Sequence, residues 1–115
     1  MLTVYGIPNC DKIKKTLNQL KQSGVDYDLY NFKKELPSKD IIMRWHQYLG
    51  DWPVNKRGTT YRKIKDNFEM SSDAEKIDLI INNSSVIIRP IVEKKGRIIS
   101  IGNMKEINDY LKNII

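Results

Sequence analysis

The chain has 115 residues, of which 40% are hydrophobic and 30% are charged, and its formal net charge is +6. This length suits one domain with its own core and excludes two. No apolar run approaches the length of a membrane span, and the N-terminal residues show no secretory signal pattern. We therefore expect a cytoplasmic protein. The basic balance favours anionic partners, such as phosphorylated or carboxylated small molecules, nucleic acid or an acidic protein surface.

Cys10 is the only cysteine, so an intramolecular disulfide is excluded, and a reducing compartment is compatible with this. It follows the apolar run 1–5 and a turn at 6–9, and it precedes an amphipathic stretch at 11–23. A cysteine at the first turn of a helix lies near unpaired N–H groups and the positive end of the helix dipole, which both favour the nucleophilic thiolate. The alternative is a buried, inert thiol.

The first third of the chain predicts a strand at 2–5, a helix at 11–23 and a strand at 26–32. Gly24 supplies the left-handed conformation that ends the helix. Strand, helix and strand in so short a span imply two parallel strands joined by a right-handed crossover. The apolar residues of the helix recur at the spacing of one buried face: Ile13, Leu17 and Leu20.

The middle of the chain predicts three helices. The first runs from the N-cap Ser38 to Leu49 and stops at Gly50. A short helix follows at 60–66, and a Ser-Asp-Ala-Glu capping box starts a third at 73–82. The predicted apolar face of the first helix comprises Ile41, Ile42, Trp45, Tyr48 and Leu49.

The last part of the chain predicts a short apolar strand at 86–88, then two strands at 91–93 and 97–101 around a hairpin turn, Lys-Lys-Gly. A final helix starts after Asn103, which has a glutamate three residues on. Its predicted buried face comprises Ile107, Leu111 and Ile114.

The order βαβ, three helices, ββα predicts an α/β protein with a four-stranded mixed sheet. A cysteine after the first strand and a proline before a late strand resemble the thioredoxin fold. Three segments carry a closer resemblance: Tyr-Gly-Ile-Pro-Asn-Cys-Asp (5–11), Asn-Lys-Arg-Gly-Thr-Thr-Tyr-Arg-Lys (55–63) and Ile-Arg-Pro-Ile-Val (88–92). They resemble the arsenate reductase (ArsC) family, most closely its YffB subgroup, which is related also to the Spx regulators.

The resemblance covers essentially the whole chain. It implies one domain over residues 1–115, with a thioredoxin-like fold and an inserted helical subdomain at about 35–85. It also implies that Cys10 is the nucleophile and that Arg57 and Arg89 bind an anion. A guanidinium stays charged and presents a planar fork that suits an oxyanion or a carboxylate.

Pro90 matches the thioredoxin-fold proline whose preceding peptide bond is cis, which implies that the backbone at 88–89 lies beside a bound thiol. Asn9 and Lys14, on either side of the cysteine in the first motif, are assigned to anion or thiol binding with these residues.

Two departures from the family patterns narrow the function. Arsenate reductases carry a third arginine where this chain has Ser100 or Ile101, and an arginine of their Cys-x-Thr-Ser-Arg stretch is here Lys14, which lacks the bidentate fork. The Cys-x-x-Cys of the Spx regulators is also incomplete, because its second position is Ile13. The YffB subgroup requires neither feature and is proposed to use glutathione.

We therefore expect a thiol-dependent reductase with one nucleophilic cysteine, which uses glutathione or a similar small thiol on an oxidised or anionic small molecule. The first alternative is an Spx-like regulator that docks on RNA polymerase, and the second is an arsenate reductase. We expect a monomer with no metal, no membrane contact and no direct binding of nucleic acid.

Several other residues are assigned to packing. His46 is the only histidine and lies mid-helix, so we do not assign it as a base for Cys10, and one histidine with one cysteine makes no zinc site. Trp45, Tyr48 and Trp52 have helical or loop spacing, which core packing explains better than a platform for stacked bases. Thr59 and Thr60 are expected helix caps.

Overall fold

The computed structural model describes residues 1–114, with only the backbone of Ile114, so the predicted burial of that side chain lies outside the described residues. The chain divides into two compact units. The sheet unit comprises Met1–Lys33 and the chain from Arg89 onward, and the helical unit comprises Lys34–Ile88. Among the described residues, no helix is both long enough and apolar enough to cross a membrane.

The described chain contains four strands and five α-helices. In order they are β1 (Leu2–Gly6), α1 (Asp11–Gln22), β2 (Tyr27–Asn31), α2 (Lys39–Leu49), α3 (Thr59–Met70), α4 (Asp73–Asn82), β3 (Ile91–Lys94), β4 (Arg97–Ile101) and α5 (Met104–Ile114), with one turn of 3-10 helix at Ser84–Val86 after α4.

The sheet has the strand order β2-β1-β3-β4. β1 pairs with β2 in parallel and with β3 antiparallel, so the predicted four-stranded mixed sheet is confirmed. β3 and β4 form the predicted hairpin, whose turn residues Lys95 and Gly96 have φ values of 50° and 79°. Positive φ at both central positions matches the right-handed twist of the flanking strands.

Helices α1 and α5 cover one face of this sheet. Their buried side chains pack with the alternate strand residues that point to that face. The cluster comprises Leu2, Val4, Ile13, Leu20, Val92, Ile107 and Leu111. The predicted buried positions of both helices are therefore confirmed for Ile13, Leu20, Ile107 and Leu111, while Leu17 is half-buried against the same cluster.

Local capping bonds define the helical unit as the sequence predicts. The Ser38 hydroxyl accepts a hydrogen bond from the N–H of Ile41 at 3.2 Å, and Gly50 ends α2 with a φ of 69°. Ser72 and Glu75 form a complete capping box at the start of α4. Helix α3 is longer than predicted, since it continues to Met70.

Two predictions about the helical unit are wrong. Tyr48 and Leu49 are 51% and 36% exposed, because the buried side of α2 is centred on Ile42 and Trp45. The apolar run 86–88 is not a strand of the sheet. Residues 84–86 form the 3-10 turn, and Ile87 makes only an isolated bridge. A short buried apolar run has no period that separates these two outcomes.

Candidate active site around Cys10

Cys10 occupies the N-cap position of α1. Its N–H donates to the carbonyl of Ile7 at 3.1 Å, and its carbonyl accepts the N–H of Lys14 at 3.0 Å, which is the first bond of the helix. The turn at 7–10 therefore connects the end of β1 directly to the start of α1. The thiol is half-buried and packs against the core cluster of the sheet unit.

The helix start leaves donors near the sulfur. No side chain caps α1, and the N–H groups of a first helical turn have no partner within the helix. Together with the helix dipole, these groups make the start of α1 suited to binding an anion. The predicted location of the cysteine is confirmed by this geometry.

The Arg89–Pro90 peptide directly precedes β3, at the end of the sheet where β1 finishes. The peptide bond is cis, as the resemblance implied. β1 and β3 are antiparallel with Tyr5 opposite Ile91, so the next position in this register places Gly6 opposite Pro90. The Pro90 carbonyl accepts the N–H of Gly102 at 2.7 Å. The segment after β1, which carries the cysteine, and the segment before β3, which carries the cis proline, therefore start from neighbouring positions at one end of the sheet.

Arg89 is half-buried and lies close to the end of β1. Its Cγ is 3.9 Å from the position that a β-carbon on Gly6 would take. Within the described part of the chain, its guanidinium forms no ion pair or hydrogen bond. A charged fork at this edge is available to an oxyanion or a carboxylate.

Asn9 and Lys14 flank the cysteine and are both exposed. Lys14 lies in the first turn of α1, four positions after the N-cap Cys10. A lysine side chain is a flexible point charge with no preferred fork. Their assignment to anion or thiol binding stays a prediction.

Arg57 belongs to the helical unit, where it is exposed. Its N–H donates to Oδ1 of Asn55 at 3.2 Å in the turn before α3. Its role in binding an anion also stays a prediction. The N-cap of α3 is Gly58, so the expectation that Thr59 and Thr60 cap this helix is wrong. The Thr60 hydroxyl shares a hydrogen bond of 3.0 Å with that of Ser85.

The position of the missing third arginine is occupied by buried residues. The Ser100 hydroxyl donates to the carbonyl of Asn103 at 2.7 Å and accepts its N–H at 3.3 Å, which fixes the turn before α5. Ile101 is also buried. Neither residue supplies a cation.

Sequence reasoning missed Gly6. Its lack of a side chain leaves room for Ile13 of α1. A glycine at the end of a strand-like run is a signal for such close approach, although the sequence equally allows it as an ordinary turn residue.

His46 lies in the helical unit and stacks on Trp52, with ring centroids 3.8 Å apart. This contact favours its packing role. Among residues 1–114, no group of three or more His, Cys, Asp and Glu side chains is arranged to hold a metal ion.

A βαβ unit followed by a ββα unit, a cysteine at the start of the first helix and a cis proline before β3 define a thioredoxin-like protein. The family model of the ArsC family matches residues 5–109. The chain therefore belongs to the ArsC family, and the resemblance seen in its motifs is confirmed.

Individual relatives span nearly the whole chain. An uncharacterised Haemophilus influenzae protein is 32% identical over 92% of this chain and 95% of its own. The Spx regulator of Streptococcus pyogenes is 26% identical over 96% and 85%.

Two solved structures superimpose well. A possible arsenate reductase from Streptococcus mutans is 30% identical, with a TM-score of 0.79 over 96% of this chain and 97% of that one. A YffB protein is 28% identical, with a TM-score of 0.81 over 96% and 99%.

Proposed function

We propose that this protein is a thiol-dependent reductase with one catalytic cysteine, which uses glutathione or a similar small thiol in the cytoplasm. One observation carries the proposal: Cys10 is the N-cap of α1 at the end of the sheet where the cis Arg89–Pro90 peptide precedes β3. A half-buried thiol there is both supported by the core and open to a substrate. The similarity to a possible arsenate reductase from Streptococcus mutans supports a reductase activity.

The reaction needs two successive exchanges, because the chain has no second thiol. In the first, the Cys10 thiolate attacks one sulfur of a substrate disulfide. A bond forms between Cys10 and that sulfur, and the other substrate sulfur leaves as a thiolate. In the second exchange, an external thiolate attacks the other sulfur of the mixed disulfide. This releases the Cys10 thiolate and leaves the substrate sulfur joined to the external thiol. A further exchange in solution with a second external thiolate displaces that substrate sulfur as a thiolate and leaves the two external thiols joined as their own disulfide.

The remaining residues bind and orient the small thiol. Arg89 holds a carboxylate of this thiol through its guanidinium, and Lys14 and Asn9 bind its other polar groups. The backbone next to Pro90 aligns it by strand-like hydrogen bonds. The resemblance to the ArsC family also assigns Arg57 to anion binding.

The charge of the sheet unit supports an anionic co-substrate. This unit holds 11 of the 20 basic residues and six of the 14 acidic residues. It therefore carries five of the six net positive charges of the chain. Such an excess around a site raises the local concentration of anions.

The test is reduction of 2-hydroxyethyl disulfide by glutathione with coupled NADPH oxidation. We expect Cys10→Ser to abolish turnover and Arg89→Ala to lower kcat/KM several-fold. Arg57→Ala tests the assignment of Arg57 to anion binding, and Lys105→Ala, a substitution at an exposed lysine of α5, is the matched control. Turnover that is unchanged in Cys10→Ser ends the proposal.

The second candidate is an Spx-like regulator that docks on RNA polymerase. The 26% identity to Spx over nearly the whole chain favours it. The buried Ile13 occupies the place of the second cysteine, so docking would proceed without an intramolecular redox switch. The test is a pull-down from a bacterial lysate, and the absence of RNA polymerase among the captured proteins contradicts this candidate. Arsenate reduction is the third candidate, and glutathione-dependent conversion of arsenate to arsenite in the same protein tests it.

A further inference from the structure

The space beside the α-carbon of Gly6 is occupied by two other parts of the sheet unit. A methyl group on Gly6 would come within 2.8 Å of Cγ1 of Ile13 and closer still to its Cδ1. The same methyl group would lie 3.9 Å from Cγ of Arg89, which is ordinary van der Waals contact. Gly6 does not have a positive φ, so its requirement for glycine is one of space and not of backbone conformation.

Ile13 has no room to retreat from an added methyl group. It is fully buried and belongs to the core cluster between α1, α5 and the sheet. Cores are packed so closely that an extra carbon displaces its neighbours. Cys10 directly precedes the first residue of α1, and its side chain packs against the core cluster to which Ile13 belongs. A shift of Ile13 therefore moves the helix start and the thiol.

We infer that Gly6 is a positioning residue for the Cys10 site. Its missing side chain lets Ile13 of α1 pack against the end of β1 next to Arg89, and this sets the separation between the thiol and the guanidinium. The inference rests on the proposed function, because it takes Cys10 and Arg89 as members of one site. It adds a residue that contacts neither the substrate nor the small thiol.

Paired alkylation of Cys10 tests whether the Arg89 guanidinium lies close to the thiol. Iodoacetate is anionic and iodoacetamide is neutral, and both react with the same thiolate. The ratio of their rate constants therefore cancels differences in ionisation and reports positive charge near the sulfur. A single unit charge a few ångströms away changes such a ratio about threefold. We expect Arg89→Ala to lower the ratio by about this factor, and Gly6→Ala to lower it similarly.

Two further variants separate positioning from general destabilisation. Gly24 lies just beyond the other end of α1 with a φ of 71° and has no atom within 4 Å of an added methyl group. Gly24→Ala strains the backbone and should leave the ratio at the wild-type value. In Gly6→Ala with Ile13→Ala, the second substitution removes both of the crowded atoms, and the ratio should return toward the wild-type value.

A folded Gly6→Ala or Arg89→Ala with the wild-type ratio overturns the inference. If Gly6→Ala does not fold, the double variant decides. A folded double variant with the wild-type ratio supports the inference. One that is also unfolded, or whose ratio equals that of Arg89→Ala, overturns it. Normal alkylation without turnover contradicts the proposed function alone, whereas an unreactive thiol in the wild-type protein overturns both.

Discussion

The hydrogen bond between Tyr5 and Glu93 joins the two strands whose ends carry the site. The Tyr5 hydroxyl donates to Oε1 of Glu93 at 2.8 Å, and the two residues are 6% and 1% exposed. The register pairs Tyr5 with Ile91 and Glu93 with Thr3, so the bond runs diagonally between β1 and β3. Alternation along β1 places it on the face opposite to the α1–α5 core. Removing the hydroxyl leaves a buried acceptor without this donor.

Tyr5→Phe should therefore lower the free energy of unfolding by about 1–3 kcal/mol, the range for the loss of one buried hydrogen bond to a carboxyl group. A domain of this length loses about 4 °C in Tm for each kcal/mol, so the expected decrease is about 4–12 °C. The ring itself stays in place, with its centroid 5.0 Å from that of Tyr30. The change thus isolates the hydroxyl from the packing of the aromatic group.

Urea unfolding followed by circular dichroism measures this loss, with Tyr27→Phe as the matched control. Tyr27 lies on β2, is half-buried, and its hydroxyl forms no hydrogen bond within the described residues. We expect the control to change stability by less than about 0.5 kcal/mol. Equal midpoints for the two variants would refute the reasoning, because the buried hydrogen bond would then have no measurable net value.

Two further predictions concern the helical unit. Ser72→Ala removes the acceptor for the N–H of Glu75 and should lower stability by about 1 kcal/mol, measured by thermal unfolding; an unchanged Tm contradicts the capping box. The backbone N–H of Trp52 and, less strongly, the Lys56 ammonium lower the pKa of Asp51. This stabilisation is complete above about pH 5 and is lost as the pH falls below about 4. The stability difference between wild type and Asp51→Asn should therefore shrink between pH 7 and pH 3, and a constant difference contradicts it.

Local signals in the sequence predicted most of the elements. Ser38, Gly50 and Ser72 were assigned as caps because their bonds connect residues at most four positions apart. The alternation and helical spacing of apolar residues likewise predicted β1, α1 and α5, since each pattern matches one buried face. The length of α3 and the fate of 86–88 escaped prediction, because neither has a cap or a period that distinguishes the alternatives.

The site itself was predicted in two different ways. The strand, turn and helix around Cys10 follow from neighbouring residues, so the cysteine could be assigned to the candidate site from its position at the start of a helix. Arg89 and Pro90 lie about 80 positions further along the chain. Only the resemblance to the ArsC family assigned them to the same site, because nothing in their local sequence indicates which strand they adjoin.

By itself the sequence determined the order of the elements, their caps and the place of the cysteine at a helix start, because short-range bonds and side-chain periodicity decide these features. Tertiary structure alone decided that Ile13 fills the space beside Gly6, that Tyr5 forms a hydrogen bond with Glu93, and that Tyr48 is exposed. Each of these depends on which distant surfaces pack together. The antiparallel register of β1 and β3 brings residues 88 positions apart into contact, and no local pattern specifies that register.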